Sequence, residues 1–381
     1  MEDVKTLKSV GAEGPHPEIA EMFDCLSTGD AVYLPSKFWE SYNARNLGQL
    51  TSDGYDNFKQ TISRNYFTWV AGADDQLRFL AKKFRVRDFP GILGGLLEWR
   101  HSSGLTWRQQ LKVGLMTRLL WKYALRLDRE GVLGRTPEPL DGNPSRIHMG
   151  GRLISQDIAN SALEYYSIRE HFKPDPKERS TICELGAGYG RNAYLFAIAL
   201  PTSRYVVIDI PPALYVAQRY LGSVFPDRKV FKFRCFDNFD GVREEISAAD
   251  IVFLLPHQAK LLPAKSVDLF LNISSLHEMT LNQVQAYFAM IDRLTRGYFY
   301  SKQWFTSVNP FDDLMIRHDQ YPVPEYWRRV YQRPAGVQRL FFEAMYALDP
   351  VRYEPIDAFL KLGGSDRAKS QAIERTAAVA S

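Results

Sequence analysis

Cysteine is scarce in this chain: Cys25, Cys183 and Cys235 are the only three among 381 residues. They lie far apart, are odd in number and form no C-x-x-C pair, so neither a disulfide framework nor a zinc site is indicated, and all three are expected as buried thiols. No run reaches the roughly 18–20 uninterrupted apolar residues of a membrane span. The first residues include Glu2 and Asp3 where a secretory signal would need a basic then apolar run, so a cytoplasmic location is expected. A strong charge of one sign is missing too. The 48 basic and 44 acidic residues leave +4, too little to imply a nucleic-acid partner. With 45% hydrophobic and 24% charged residues, the chain is not mainly disordered and has the side chains for a sizeable core.

The length suits two domains, or one domain with a large extension. Residues 1–16 and 366–381 are polar or small and are expected to be flexible ends. Residues 17–150 read as helical, aromatic-rich segments without persistent strand alternation, a region expected to cap the acceptor site. A turn-rich stretch from Gly131 to Gly151, with Pro137, Pro139, Gly142 and Pro144 inside it, marks the junction. Between Gln76 and Arg135 stand 13 Lys/Arg against 4 Asp/Glu. Trp107, Leu111, Leu115, Leu119, Tyr123 and Leu127 recur there at helical spacing, while Arg108, Lys112, Arg118, Lys122, Arg126 and Arg129 fall largely elsewhere on the wheel. Such a basic face is either a solvated exterior or a patch for a phosphate-bearing acceptor or an anionic membrane surface, contacted peripherally.

Residues 151–365 have a different character. Ser155 is a natural N-cap for a helix running through Ala162 and Tyr166. After Ser180, short apolar runs alternate with helical stretches: Ile182–Leu185, Tyr205–Ile210, Ile251–Leu255, Val267–Ile273 and Tyr298–Trp304, with a further candidate at Val230–Phe236. That alternation predicts a doubly wound α/β fold, its mostly parallel sheet covered by helices on both faces.

The first run leads into Glu184-Leu185-Gly186-Ala187-Gly188-Tyr189-Gly190-Arg191, followed by a helical stretch. Glycines suit a strand-to-helix turn where a side chain would meet a bound cofactor or force an unfavourable backbone angle. A dinucleotide fingerprint needs glycine at position 191, where Arg191 stands. The spacing G-x-G-x-G, with an acid two residues before it, reads instead as a site for S-adenosylmethionine (SAM), which has no pyrophosphate to place on the helix N-terminus. The second run ends at Asp209, 19 residues after Gly190, where a carboxylate can accept both ribose hydroxyls.

Open α/β sheets do chemistry at the carboxyl ends of their strands. Two runs deliver polar groups to that edge: one ends in Pro256-His257-Gln258, the other in Asn272-Ile273-Ser274-Ser275-Leu276-His277-Glu278-Met279. A hydroxyl acceptor loses its proton as the methyl moves across, so an aligned base is required. His277 and Glu278 are the candidates, and an adjacent or cross-strand carboxylate would fix the tautomer of His277. Plain structural roles remain open: Asn272 bonding backbone at the strand end, and His257 as a satisfied core histidine. Alignment without a base, or a divalent metal holding two hydroxyls, are further routes. No metal ligand set has a defensible spacing, the Asp312-Asp313 and His318-Asp319 pairs included.

Taken together, PSKFWE near 35–40, NFKQTISRNYFTW at 57–69, GNP at 142–144, ISQDIANSALEYYSI at 154–168, ELGAGYGRNAY at 184–194, VIDIPPALYVAQRYL at 207–221, FLLPHQ at 253–258 and NISSLHEM at 272–279 give the chain its likeness. It resembles the sugar O-methyltransferase family of bacterial surface-polysaccharide gene clusters. The resemblance implies a SAM-binding domain, with Glu184, Gly186, Ala187, Gly188, Tyr189, Gly190, Asp209, Ile210, His257, Gln258 and Asn272 at the cofactor. It also implies an acceptor pocket shaped by the helical region, with Gln156, Asp157, Asn160 and Ser275 at the substrate and Glu164 on the same polar helix. Pro211 and Pro212 fit the pattern by fixing the backbone near Asp209. The expected activity is methyl transfer to a hydroxyl of a nucleotide sugar or glycan. Its rivals are methylation of a natural-product hydroxyl or amine, a nucleotide-binding oxidoreductase disfavoured by Arg191, and a non-catalytic SAM- or nucleotide-binding protein.

Overall fold

The structure, a computed structural model, describes residues 16–60, 73–85 and 106–348. The expectations for the flexible ends, for part of the 57–69 motif and for residues 86–105 of the basic region therefore lie outside the described residues, His16 excepted. Helices α1 (Pro17–Leu26), α2 (Lys37–Asp53), α3 (Ala73–Ala81), α4 (Trp107–Leu127) and α5 (Val132–Arg135) come first. A small hairpin of β1 (Ile147–Met149) and β2 (Arg152–Ile154) leads to α6 (Gln156–Arg169), which starts where Ser155 accepts a hydrogen bond from the Ile158 amide. Strands and helices then alternate: β3 (Thr181–Leu185), α7 (Arg191–Ala199), β4 (Arg204–Ile208), α8 (Ala213–Val224), β5 (Val230–Phe231), α9 (Arg243–Ala248), β6 (Ile251–Leu254), α10 (Pro256–Ala259), β7 (Val267–Ile273), α11 (Leu281–Leu294) and β8 (Thr295–Trp304). After them come β9 (Thr306–Asn309), β10 (Leu314–Arg317), β11 (Arg328–Pro334) and β12 (Phe341–Ala347).

Among the described residues the main sheet has eight strands in the order β11-β12-β8-β7-β3-β4-β6-β5. From β5 to β8 all neighbours are parallel, while β12 runs antiparallel to both β8 and β11. The order runs outward in two directions from β3, so the ends of β3 and β7 flank a switch point where a crevice opens. Alternate residues feed two cores, as the pleat requires. Ile182, Val207, Phe253 and Leu271 join one cluster, and Cys183, Val206, Val252 and Phe270 the other. Met116, Leu119 and Trp121 of α4 share the first cluster, so the helical N-terminal region packs over the sheet and its α6–α7 layer. Helix α11 covers the opposite face through Val284, Phe288 and Ile291. This is the predicted doubly wound, mostly parallel α/β fold.

Three expectations need correction, and two strands of the main sheet lie outside the predicted runs. Cys25 and Cys235 are joined in a disulfide, with S–S 2.08 Å, and only Cys183 is a free buried thiol. Their separation of 210 residues carries no sign of the proximity that α1 and the β5 edge create. The buried face of α4 is not the whole apolar stripe: Trp107 is 65% and Leu111 41% exposed, whereas Arg118 is fully buried, its Nε donating to the His148 carbonyl at 3.0 Å. Helix α4 packs against α3 and α6 as well as the β1–β2 hairpin, and these neighbours cover residues that lie off the periodic stripe. The run Val230–Phe236 is a strand only over Val230–Phe231. Finally, β11 and β12, which extend the sheet with antiparallel pairing, were not among the predicted runs. Among the described residues no helix is long and apolar enough to cross a membrane.

Candidate functional site

The turn after β3 is built on left-handed backbone, with φ of +73° at Gly186, +59° at Gly188 and +86° at Gly190. At Gly186 a Cβ would collide with Ser275 Oγ, so glycine is demanded by both angle and space. Asp209 follows β4 directly. Its Oδ2 accepts from the Gly188 amide and its Oδ1 from the Ile210 amide, each at 2.7 Å. Burial pushes this carboxyl up to about 7, against the two amides, which favour the carboxylate. Glu184, at the end of β3, is also pushed up to about 7 by burial, although Asn192 Nδ2 (2.9 Å) and the Tyr205 hydroxyl (2.7 Å) both donate to it.

An open cleft of about 1030 Å³, its mouth included, lies over this turn. Of the predicted cofactor residues, Glu184, Gly186, Ala187, Gly188, Asp209 and Ile210 line it; of the predicted acceptor and catalytic residues, Ser275 and Glu278 do. Glu278 sits in a short turn, Leu276–Glu278, whose carbonyls are held by Ser36 Oγ (2.9 Å to Glu278 O) and Ser307 Oγ (3.2 Å to His277 O). Burial raises its carboxyl above the usual range, against the opposing pull of His277 and an indole hydrogen bond from Trp39. Its Oε2 is buried without a hydrogen-bond partner.

His277 stands behind Glu278 rather than in the cleft. Its Nε2 lies 3.4 Å from Glu278 Oε1 and its Nδ1 3.1 Å from Gln303 Oε1. Gln303 donates through Nε2 to Asn272 Oδ1 at 2.6 Å, which leaves Oε1 as the acceptor and places a proton on Nδ1. The group across the strand is an amide, Gln303, rather than a carboxylate, while the adjacent carboxylate, Glu278, meets the other ring nitrogen.

Other candidates are structural. Asn272 is fully buried, its Nδ2 donating to the Leu185 carbonyl (2.9 Å) and Ser275 Oγ (2.6 Å), so it clamps β7 to β3 instead of reaching the cleft. Gln258 accepts from the Leu255 amide at 3.0 Å and donates to the Arg234 carbonyl at 2.8 Å, capping α10. His257 packs beside the disulfide, Nε2 3.8 Å from Cys25 Sγ, with a pKa lowered by burial. Tyr189 turns away into an aromatic group with Phe58 and Tyr220 and donates to Asp157 Oδ2 at 2.7 Å, which occupies Asp157 as well. Gly190 is the N-cap of α7. Gln156 lines neither the cleft nor the neighbouring cavity, and Asn160 lines only the latter. Among the described residues no cluster of three His, Cys, Asp or Glu side chains suits a metal ion.

The sequence reading did not foresee the cleft's charged wall. Glu164 is buried between Arg191 (Nη1–Oε2 2.7 Å) and Lys302 (Nζ–Oε1 2.8 Å). Burial alone would raise the Glu164 carboxyl, but Arg191 and Lys302 together hold it down at about 2. The residue that argued against a dinucleotide fingerprint, Arg191, therefore lines the cleft as half of a buried ion pair. Tyr33, Leu34 and Trp39 bring the N-terminal region to the same cleft.

No family model and no curated protein matches the chain. Solved structures resemble it over about half its length. A SAM-dependent methyltransferase from Aquifex aeolicus is 14% identical, covering 49% of this chain and 97% of that chain with a TM-score of 0.30. A geranyl diphosphate methyltransferase in complex with SAM is 12% identical, covering 50% of this chain and 85% of that one, TM-score 0.34. A Burkholderia thailandensis 1,6-didemethyltoxoflavin-N1-methyltransferase with bound 1,6-didemethyltoxoflavin and S-adenosylhomocysteine is 13% identical, covering 51% and 79%, TM-score 0.34. Likenesses this distant carry no weight for the chemistry, and the fold assignment rests on the strand order.

Proposed function

We propose that this chain is a SAM-dependent O-methyltransferase acting on a hydroxyl, with a sugar as the acceptor class. The observation that carries the reading is that a nucleoside-type cradle and a carboxylate line one cleft: Asp209 with the Gly186–Gly188 turn, and Glu278, whose buried Oε2 has no hydrogen-bond partner. The cradle fits the cofactor. Asp209 accepts from ribose hydroxyls, and a Cβ built at Gly188 would meet nothing within 4 Å, so that turn leaves room for a ligand. When bound, SAM supplies an electrophilic methyl group on a sulfonium.

The protein's own residues then handle the acceptor proton. Glu278 Oε2 receives it from the acceptor hydroxyl, while Oε1 stays held by His277, whose ring Gln303 keeps in place. Tyr33, Leu34, Trp39 and Phe341 supply apolar cover that excludes water from the exchange. The test has two parts. Added SAM or S-adenosylhomocysteine should raise the melting temperature, and labelled methyl should pass from SAM to a member of a panel of nucleotide sugars and lipid-linked glycans. No thermal shift with either compound, together with a shift from a nicotinamide dinucleotide, would overturn the reading.

A further inference from the structure

Beside the cleft lies a second cavity of about 1480 Å³, its mouth included, which shares Glu164, Lys302 and Gln338 with the first. Lys302 forms the partition: its side chain is 7% exposed and its Nζ bonds Glu164 Oε1 at 2.8 Å and Gln338 Oε1 at 2.5 Å. Every carboxylate of the second cavity is already committed. Glu130 pairs with Arg169 at 3.0 Å, and Glu170 (3.3 Å) and Glu343 (2.7 Å) both pair with Arg333. Glu164 is shared by Lys302 and Arg191. Arg129 and Lys173 also line this cavity, and neither has a carboxylate partner among the described residues. Within this cavity five cations stand against four carboxylates, and because Glu170 and Glu343 share Arg333, Arg129 and Lys173 are the two cations that none of those carboxylates pairs.

We infer that this second cavity is a subsite for a phosphate or diphosphate group of the acceptor. A lone carboxylate would compensate one of the two charges, whereas a phosphate ester carries about −1.5 to −2 at neutral pH and compensates both. Tyr123 and Tyr166 add aromatic surface to the same cavity, on which the ring of a sugar or base can lie. The wall that the two spaces share, Glu164, Lys302 and Gln338, is what separates an acceptor anchored there from Glu278 in the cleft. The inference rests on the transfer reading for the direction of the acceptor, but the anion subsite itself is separable from it.

The experiment is calorimetric titration of inorganic pyrophosphate into the full chain saturated with S-adenosylhomocysteine, for wild type and for Arg129→Gln/Lys173→Gln. Both substituted side chains are exposed, and equal melting temperatures would show that the variant is folded. Wild type should bind pyrophosphate without losing S-adenosylhomocysteine, and the double variant should bind it at least about tenfold more weakly, as loss of charge-assisted contacts requires. No binding by wild type, equal affinity in the double variant, or competition between pyrophosphate and S-adenosylhomocysteine would each overturn the subsite. If the chain fails to bind S-adenosylhomocysteine yet binds pyrophosphate in the variant-sensitive manner, the subsite stands and the methyl-transfer reading falls. Two further arms identify the source of the phosphate. Tighter binding of a nucleoside diphosphate than of pyrophosphate marks a nucleotide-linked acceptor, and co-sedimentation with phosphatidylcholine vesicles only when they contain a polyprenyl phosphate marks a lipid-linked one.

Discussion

The Gly188 amide donates to Asp209 Oδ2 at 2.7 Å, tying the glycine turn after β3 to the tip of β4. Because Ile210 donates to the other oxygen, the carboxylate is aimed by backbone on both sides before any ligand arrives. Preorganisation of this kind lowers the ordering cost of binding. It also exposes the carboxyl to the desolvation that pushes it up to about 7.

The first prediction follows from that value. Ribose hydroxyls donate to the ionised form, so affinity for S-adenosylhomocysteine should climb as pH rises through about 7 and level off above it. Asp209→Asn should weaken binding by roughly 1.5–3 kcal/mol and flatten the slope. Calorimetry across that range decides: a pH-independent wild type, or an Asn variant that binds equally well, would remove Asp209 from the site.

The second concerns the unliganded protein, where the same burial works against stability. An Asp209 carboxyl raised from its ordinary range to about 7 holds its proton in the folded state after the unfolded chain has released it. The stability linked to that proton is complete below the ordinary carboxylate range and is lost as pH rises to about 7. Wild type should therefore lose melting temperature as pH rises towards about 7, and Asp209→Asn, which has no proton to release but meets one of the two amides with an NH2, should lack that fall whatever its absolute stability. Parallel melting curves at all pH values would contradict it.

A third prediction tests the buried triad. Glu164→Gln leaves Arg191 and Lys302 buried without their carboxylate, and removing one partner of a buried pair typically costs about 3–5 kcal/mol. The measurement is denaturant unfolding at neutral pH. A loss below about 1 kcal/mol would show that water already screens the two cations.

What the sequence made legible follows from range of interaction. The runs 182–185, 251–255 and 267–273 are strands to within a residue because parallel strands covered on both faces must be mostly apolar. The turn 184–190 and Asp209 were legible because their spacing itself encodes the strand-turn-helix geometry. Gln258 and Asn272 misled because a polar residue at a strand end looks the same whether it faces a ligand or caps backbone; only the Leu255 amide and the Leu185 carbonyl distinguish the two. Lys302 was missed for a different reason. It lies within a mostly buried strand, and its partner Glu164 is 138 residues away. The Cys25–Cys235 bond, still farther apart in sequence, was invisible on the same ground.

The last prediction separates the two residues of the catalytic edge. Glu278 lines the cleft and His277 does not, which is why Glu278 is the proposed base and His277 the proposed positioning residue. Glu278→Gln should lower turnover by about 10²–10⁴ and abolish the limb on which rate rises with pH, while affinity for S-adenosylhomocysteine stays near wild type. His277→Asn should cost less and act differently. The His277 ring opposes the rise that burial imposes on the Glu278 carboxyl, so removing it should move the same limb to higher pH without erasing it. A limb unchanged in His277→Asn would reduce that ring to packing. Should Glu278→Gln keep both rate and limb at saturating acceptor, proton removal would have to pass to solvent or to a bound metal, and inactivation by a chelator with recovery on adding Mg²⁺ would single out the metal.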